Sequence, residues 1–425
     1  TPPKIVNGKE RKQITAFVVE TDTPGFEVVH VCRFMGVRGI RNGLLRFTNV
    51  KVPAEHIIGK PGEGLKIALT TLNTGRLTVP ATCAAGGKAA MHHLRDWVNE
   101  RVQWGVPIGK HQAVGKKLAK IAAGTFAMQA ISDLSCALAD RGGADIRLEA
   151  AMAKYYCTEL SWQLVDDALQ VRGGRGYETS ESLRQRGEKP LSVEMSMRNA
   201  RISRIIEGTS EIMQLFIARE AMDTHMSRMM PLMKPTPGET RSKGKLLWDA
   251  FRFYASWYPG TWLPPANRYG ANHLSPRNQD HLKYIGRTAK RLARTMFHTM
   301  AKFGPKLELE QLVLAGFVDI GSDLFAMAAS LARAEGQLAE DPGNEDLQNL
   351  VDYFCCMARE RIEDNFRRAK RTHHRVLNKV SRAYAAGKYD WRTTGIYTGT
   401  PSHFEDEARL EYFTLFEPEH EHATK

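Results

Sequence analysis

The chain has 425 residues, 42% of them hydrophobic and 25% charged, a composition typical of a soluble protein of two or three domains. Lys and Arg number 60 against 47 Asp and Glu, for a formal net charge of +13. This charge suits anionic ligands or an anionic lipid surface. No nucleic-acid recognition motif accompanies it, so we predict no nucleic-acid partner.

The cysteines are scattered along the chain without the spacing of metal ligands. They are Cys32, Cys83, Cys136, Cys157, Cys355 and Cys356. This distribution predicts reduced, mostly buried thiols in a reducing compartment and no metal site.

The N-terminal segment carries strand patterns, whereas the rest of the chain is helical in pattern. Residues 14–20, 25–32 and 43–52 are rich in Val, Ile, Phe and Thr between Gly and Pro, which predicts a few antiparallel strands. From Gly62 to about Met222, apolar residues recur at spacings of 3 and 4. Long helices joined by short loops are typical of a four-helix bundle.

A proline-containing segment separates two helical regions. Residues 228–243 carry three prolines and flanking charge and are interpreted as a linker. Beyond them, helical periodicity returns in residues 282–303, 309–334 and 347–385. The predicted domains are therefore residues 1–61 (β), 62–225 (bundle), 226–278 (linker with an amphipathic segment) and 279–425 (helical extension).

The segment around Glu207 is the best candidate for catalytic chemistry. Glu207 lies between the apolar pair Ile205-Ile206 and a Gly-Thr-Ser breaker, after which an amphipathic helix begins with Thr209 or Ser210 as N-cap. A partly desolvated carboxylate is a usable general base, and the free N–H groups of a helix start can face an anion. Taken alone, the segment is more typical of a solvated acid in a first helical turn.

Three further motifs occur in the same chain. They are Val52-Pro53-Ala54-Glu55-His56-Ile57-Ile58-Gly59 followed by Leu72-Asn73-Thr74-Gly75-Arg76, then Arg101-Val102-Gln103-Trp104-Gly105 followed by Gln112, and then Gln170-Val171-Arg172-Gly173-Gly174-Arg175-Gly176-Tyr177. Together with the Glu-Gly-Thr segment, they resemble, in the same order, motifs of the acyl-CoA dehydrogenases. The resemblance covers residues 14–224 and implies a partial antiparallel β-domain, a C-terminal four-helix bundle and FAD as the cofactor.

In this family the Glu that matches Glu207 is the catalytic base. The resemblance implies that Glu207 removes the α-proton of an acyl-CoA while the flavin accepts the β-hydride, which gives a trans-2-enoyl-CoA. The backbone N–H of the base and a flavin ribityl hydroxyl polarise the thioester oxygen in the family.

Other site residues are carried over position by position. The resemblance implies flavin contacts for Arg101, Gln103, Trp104, Gln112, Gln170, Gly173, Gly174, Gly176, Thr209 and Glu211. It implies substrate contacts for Asn73, Arg76 and Gly208. The matching Arg of the family reaches the FAD of the neighbouring subunit.

The chain departs from the family in three places. Between Tyr177 and Arg198 it has about ten extra residues, an ordinary loop insertion. Asn199 stands where Asp is usual, and Trp104 where Phe is usual. The chain also starts inside the β-domain, so we expect it to be a C-terminal fragment.

The extension after the bundle resembles that of the very-long-chain acyl-CoA dehydrogenases, which are peripheral-membrane homodimers. This implies long-chain substrates, a homodimer and electron-transfer flavoprotein as the electron acceptor. It also implies a location in the bacterial cytoplasm or the mitochondrial matrix, with peripheral attachment to the inner membrane. Residues 243–263 combine basic and aromatic side chains that suit a lipid interface and suit internal packing equally well. The basic run of residues 367–375 favours a solvated helix face.

Two other functions remain open. One is an acyl-CoA oxidase, which has the same fold and gives its electrons to oxygen. The other is a low-turnover scaffold or assembly protein that keeps the fold. The presence of Glu207 favours an enzyme.

Overall fold

The computed structural model describes residues 3–6, 9–143, 145–233, 242–265, 274–369 and 374–392. Its N-terminal part contains short strands: β1 (Lys4–Val6), β2 (Lys9–Arg11), β3 (Ala16–Phe17), β4 (Phe26–Cys32), β5 (Asn42–Phe47) and β6 (Ile57–Ile58). All pairings are antiparallel, β1 with β2, β3 with β6, and β4 with β5. The predicted strands at 14–20 and 43–52 are thus shorter than expected.

Long helices dominate the remainder. They begin with α1 (Gly64–Glu100), the hairpin β7 (Val102–Gln103) and β8 (Val106–Pro107), α2 (Gln112–Arg141) and α3 (Arg147–Arg172). The short helices α4 (Gly174–Tyr177), α5 (Ser180–Gln185) and α6 (Val193–Ile202) lead into α7 (Ser210–Met233). There follow α8 (Lys243–Gly260), α9 (Pro276–Phe303), α10 (Gln311–Glu340), α11 (Glu345–Ala369) and α12 (His374–Ala385). The predicted fold class, mainly α with a partial β region, is confirmed.

Small residues let the bundle helices approach closely. In α2, Ala123, Ala127 and Ala130 are fully or almost fully buried, and Gly124 lies against Leu164 of α3, leaving little room for a side chain. This close packing holds α2 against α3.

The helical extension packs directly on the bundle. One continuous apolar core joins buried residues of α1, α2 and α3 to those of α10 and α11. A second core joins α3 and α7 to α10 through Tyr155, Met213 and Val318. Because the two regions share these cores, the prediction that residues 62–225 and 279–425 are separate domains stays a prediction.

Two of the described helices, α2 and α10, are long and apolar enough to cross a membrane. Of their most apolar windows, 56% and 61% are buried inside the protein. Their composition is accounted for by this burial, because core helices have the same length and hydropathy.

The linker prediction needs correction. Residues 228–233, expected in the linker, form the last turns of α7, and residues 243–260 form α8. The apolar periodicity continues through Met226 and Met229, and the helix extends only two residues beyond Pro231, which cannot donate a backbone hydrogen bond. The rest of the predicted linker, residues 234–241 and 266–273, lies outside the described residues.

The described residues divide into two compact units, one that ends with α11 and one that contains α12. In the second unit, α12 and a short 3₁₀ turn at Asp390–Arg392 are described. Of the basic run at residues 367–375, Arg367 and Arg368 are exposed and pair with Asp364, as expected of a solvated helix face. Residues 370–373 lie outside the described residues.

Candidate active site

Glu207 lies in the turn between α6 and α7. Its backbone is left-handed with φ +56°, and Gly208 follows at φ +98°. Such a conformation costs a non-glycine residue about 1–3 kcal/mol. Thr209 caps α7, because its Oγ1 accepts a hydrogen bond from the Ile212 N–H at 3.4 Å. The predicted helix start is confirmed, and the strained turn projects Glu207 towards α1.

The Glu207 carboxylate lies directly over Gly75 of α1. A Cβ atom at Gly75 would stand 2.5 Å from Oε1 and 2.7 Å from Oε2 of Glu207. Oε2 is buried and has no hydrogen-bond partner among the described residues. A buried, unpaired carboxylate oxygen is costly and is typical of an atom kept for function.

Two cations flank this carboxylate. The guanidinium of Arg76 lies 4.9 Å from the centre of the Phe216 ring and donates to Asn73 Oδ1 at 3.3 Å. Burial lowers the pKa of Arg76, and the Glu207 charge opposes that shift. The predicted substrate residues Asn73, Arg76 and Gly208 therefore all lie at the Glu207 turn.

Lys154 of α3 is the second cation, and the sequence analysis missed it. The residue is fully buried, and its Nζ donates to the Gly208 carbonyl oxygen at 2.7 Å. Burial lowers the pKa of Lys154, and the nearby Glu207 opposes the shift. The available signal was a lysine at position i+4 from Ala150 and i−3 from Cys157, on a helix face that is otherwise small and apolar.

A second polar contact fixes the start of α7. Glu159 of α3 accepts hydrogen bonds from Arg204 Nε, at 2.7 Å, and from the Ser210 hydroxyl. Both ends of the turn that carries Glu207 are thus tied to α3. Among the described residues, no hydrogen bond occupies the Glu207 backbone N–H, so this donor is available to a ligand.

The other two motifs meet at the far end of α1. The β7–β8 hairpin and the turn after α3 line a cleft of about 420 Å³. Its lining includes the predicted flavin residues Arg101, Gln103, Gly173 and Gly174. Nothing lies within 4 Å of a Cβ placed at either glycine, so a ligand can approach the backbone there.

Arginines give this cleft a positive character. Arg172 and Arg175 lie 4.4 and 5.6 Å from the centre of the Trp97 ring, and Arg101 is exposed at the edge. Arg172 Nε is buried without a hydrogen-bond partner among the described residues. These donors are suited to a phosphate-bearing ligand.

The remaining predicted flavin residues are distributed between the two ends. Trp104 is 91% exposed and meets His111 edge-on at 5.4 Å, while Gln112 and Gln170 are exposed on neighbouring helices and do not line the cleft. Gly176 is buried against Leu169. Thr209 and Glu211 lie in the first turn of α7, next to Glu207.

The two ends are far apart within one chain. Gly75 and Arg101 are separated by 26 residues of α1, which corresponds to about 39 Å at 1.5 Å per residue. The structure therefore does not bring Arg101 to Glu207 within a single chain.

The departures from the family pattern have structural roles. In the inserted loop, Arg175 binds Glu188 through two hydrogen bonds of 2.6 and 2.8 Å, and Arg186 binds Glu178 at 2.9 and 2.6 Å. Asn199 Oδ1 accepts a hydrogen bond of 2.6 Å from the Val37 N–H. The insertion thus closes one side of the cleft, and Asn199 joins α6 to the β region.

Family models match two parts of the chain. Residues 62–222 match "Acyl-CoA dehydrogenase, C-terminal domain", and residues 277–386 match "ACAD9/ACADV, C-terminal domain". A probable acyl-CoA dehydrogenase FadE10 of Mycobacterium tuberculosis is 43% identical over 393 residues, which cover 91% of this chain and 59% of that protein. The chain belongs to the acyl-CoA dehydrogenase family.

More distant relatives agree with this assignment. The mitochondrial very long-chain specific acyl-CoA dehydrogenase of Mus musculus is 28% identical over 409 residues, 94% of this chain and 59% of that protein. An acyl-CoA dehydrogenase from Bacillus anthracis, solved in complex with FAD, shares the fold with a TM-score of 0.63 at 24% identity, covering 84% of this chain and 59% of that one. This member of the acyl-CoA dehydrogenase family thus spans about three fifths of the length of these relatives.

Proposed function

We propose that the protein is an FAD-dependent acyl-CoA dehydrogenase of fatty-acid β-oxidation that acts on long-chain thioesters. The observation that carries the proposal is the Glu207 carboxylate, held in a strained turn over Gly75 with one buried oxygen unpaired. The family membership and the similarity to relatives named as acyl-CoA dehydrogenases support it.

The residues present fit FAD. The cleft at the Arg101 end offers open glycine backbone and arginine donors, a combination that suits a pyrophosphate, and Trp104 offers an exposed ring. FAD, when bound, supplies an acceptor for the hydride from the substrate β-carbon, which no amino-acid side chain can provide.

The residues of this chain would handle the proton and the carbonyl. Glu207 takes the α-proton, and the electron pair of the broken C–H bond forms the α,β double bond as the hydride leaves the β-carbon. The unoccupied N–H of Glu207 donates to the thioester oxygen and stabilises the charge that develops there. Lys154 holds the Gly208 carbonyl and so keeps the base in position.

Arg76 provides further support on the substrate side. Its positive charge lies near the Glu207 carboxylate. Phe216 and Asn73 restrict its movement. We infer that Arg76 orients the carboxylate towards the α-carbon.

A homodimer, or a larger assembly built from it, would join the two ends. Arg101 and Trp104 are exposed about 39 Å from Gly75 along α1, and in the family the matching Arg serves the FAD of the neighbouring subunit. In this proposal each chain provides the base for its own site and cleft residues for the site of its partner.

A peripheral membrane contact fits one face of α8. Phe253, Tyr254 and Trp257 pack with His225 of α7 and Phe297 of α9, so internal packing accounts for this half of the aromatic segment. The other half is exposed and comprises Leu247, Trp248, Phe251, Trp262 and Leu263, with exposures of 59 to 63%. We propose that this exposed half meets the lipid surface, in a bacterial cytoplasm or a mitochondrial matrix.

Replacing Trp248 and Phe251 by Ser tests the lipid contact. Co-sedimentation with anionic vesicles should fall while flavin content and activity stay. A double variant that co-sediments with vesicles as the wild type does would contradict the proposed lipid contact.

The function is tested by anaerobic addition of acyl-CoA thioesters of graded chain length to the purified holoprotein. Palmitoyl-CoA should bleach the flavin absorbance faster than butyryl-CoA. Reoxidation by electron-transfer flavoprotein but not by oxygen supports the dehydrogenase, whereas rapid reoxidation by oxygen indicates the oxidase. A bound flavin that no acyl-CoA bleaches would favour the scaffold protein.

A further inference from the structure

The helical extension brings three side chains of metal-ligand type together. His281 lies on α9, while Asp352 and Cys356 lie one turn apart on α11 and so share one face of that helix. One ligand atom from each residue lies within 4.8 Å of the other two. More than 70 positions separate His281 from its partners, which explains why the cysteine spacing predicted no metal.

The imidazole of His281 is already oriented. The residue is only 3% exposed, and its Nε2 lies 2.7 Å from Asp352 Oδ1. Its Nδ1 is buried and has no hydrogen-bond partner among the described residues. Nε2 is thus the ring nitrogen that faces Asp352 and would be the metal ligand.

The surroundings of the thiol are locally acidic. The charges of Asp352, Glu360 and Asp280 act on the Cys356 thiol, as does that of Arg359. Arg359 is itself paired with Asp280 at 2.8 Å, and Arg287 also acts on Asp280. These three carboxylates and two arginines leave a small excess of negative charge, which favours a cation.

We propose that His281, Asp352 and Cys356 form a binding site for a divalent transition metal of the zinc type. Zinc accepts nitrogen, oxygen and thiolate ligands together, whereas Mg²⁺ and Ca²⁺ select oxygen. Three protein ligands leave a fourth position for water, and the exposure of Cys356 places that position at the surface.

Small movements bring the three groups to zinc geometry. Tetrahedral bonds of about 2.0–2.3 Å hold ligand atoms roughly 3.5 Å apart. The exposed Cys356 side chain must therefore move in by roughly 1 Å, and the His281–Asp352 pair must open by less than that. The Cys356 side chain is exposed, so its rotation is not blocked by surrounding core residues.

Metal binding would join α9 to α11 and displace the thiol proton. The metal stabilises the folded protein in proportion to its free concentration over its dissociation constant. Because the ligand is the thiolate, affinity rises with pH as the proton becomes easier to displace. The metal would therefore cross-link α9 and α11 within the extension, through residues that are not part of the Glu207 turn.

Cobalt is the probe, because Co²⁺ bound to a thiolate gives a charge-transfer band that oxygen and nitrogen ligands do not. Titration of the tag-free protein with Co²⁺ should give this band at one ion per chain, and Zn²⁺ should abolish it by displacement. Cys356→Ser should remove the band, and Asp352→Asn should weaken Zn²⁺ affinity at least 10-fold. Cys136→Ser, at a partly buried cysteine of α2, is the matched control and should bind as the wild type does.

Zn²⁺ should also slow the reaction of Cys356 with a thiol reagent in the wild type and in Cys136→Ser. Absence of the charge-transfer band, or a band that persists in Cys356→Ser, would overturn the proposal. Equal Zn²⁺ affinity of the wild type and Asp352→Asn would exclude Asp352 as a ligand and would also contradict the site as proposed.

Discussion

The two ends of α1 present opposite surroundings to a ligand. At the Gly75 end, Glu207 lies in a turn that Lys154, Glu159 and the helix cap hold from several sides. At the Arg101 end, the hairpin residues are exposed, and Trp104 is 91% accessible. One end is enclosed and held by contacts on several sides, although Glu207 Oε2 stays unpaired among the described residues, whereas the other end is open.

This difference is consistent with two separate roles, positioning of the base at the Gly75 end and contact with the cofactor at the Arg101 end. A base needs a fixed position, because a displacement of about 1 Å can cost about 100-fold in rate. Residues that contact a cofactor bound mainly elsewhere need only an accessible surface of suitable charge. Substitutions at the Gly75 end should therefore change turnover, and those at the Arg101 end should change cofactor binding.

Gly75→Ala should have the largest effect among the supporting positions. The added Cβ would stand 2.5 Å from Glu207 Oε1 and would displace the carboxylate, so we expect kcat to fall about 100-fold. The free energy of unfolding should stay the same or rise by about 0.5–1 kcal/mol, because Ala is a better helix residue. Steady-state kinetics and denaturant unfolding measure the two effects.

Gly86→Ala on the same helix is the matched control. Nothing lies within 4 Å of a Cβ placed there, so the helix gain should appear without loss of activity. A Gly75→Ala protein with wild-type kcat would show that the position of the base is not limited by this contact.

Lys154→Met should lower kcat by about 10- to 100-fold. The substitution removes a charge-assisted hydrogen bond to Gly208, worth about 1.5–3 kcal/mol, and the strained turn would relax. Because Lys154 is fully buried, KM should change much less than kcat. Lys88→Met, at an exposed lysine of α1, is the control and should leave kcat and KM unchanged. A loss of stability in Lys154→Met without any change in kcat would limit Lys154 to a structural role.

Arg101→Ala should act on the cofactor and spare the chemistry. We expect the FAD dissociation constant to rise about 10-fold, since one charge-assisted contact is lost, with kcat at saturating FAD within about 2-fold of wild type. Arg101 is exposed, so the unfolding free energy should stay within about 0.5 kcal/mol. Arg95→Ala, at another exposed arginine near this end of α1, is the control. A large fall of kcat in Arg101→Ala at full FAD occupancy would contradict the assignment of turnover to the Gly75 end and of cofactor binding to the Arg101 end.

Glu188→Gln should have the smallest effect. The Arg175 hydrogen bonds hold the pKa of Glu188 below its usual value. The Arg175–Glu188 ion pair is therefore intact at pH values above the ordinary pKa of Glu, about 4.3. It is lost as the pH falls through the lowered pKa of Glu188. At pH 7 the variant should show faster hydrogen exchange in residues 183–190 than the wild type.

The difference should shrink as the pH falls below the ordinary Glu range, once the intrinsic exchange rates are corrected. Glu308→Gln, at an exposed glutamate outside the inserted loop, should leave exchange in residues 183–190 as in the wild type. A difference of constant size down to acidic pH would exclude the ion pair as the element that orders the inserted loop.

Local sequence signals predicted some features well and others poorly. The cap of α7 and the position of Glu207 followed from a breaker and an apolar repeat, which are local in the chain. Lys154 was missed because its role depends on a contact across 54 positions with Gly208. The continuation of α7 through residue 233 was not predicted, because the three prolines and the charges of residues 228–243 indicated a linker although the apolar repeat persists around Pro231.

The two ends of α1 differ in how far the sequence could describe them. The resemblance named Arg101, Gly173 and Gly174, and the structure places them in one cleft. The separation of this cleft from Glu207 follows only from the continuous helix α1. A sequence motif does not show whether its residues meet those of another motif within the same chain. The joint core of bundle and extension likewise depends on tertiary packing.

The most direct test of the account is the rate at which palmitoyl-CoA bleaches the bound flavin of Glu207→Gln, measured anaerobically by stopped flow. The amide keeps the shape of the side chain and cannot accept the α-proton, so we predict a rate at least 100-fold below wild type at equal FAD content. Glu181→Gln should bleach at the wild-type rate. Bleaching of Glu207→Gln at the wild-type rate would contradict the assignment of Glu207 as the base.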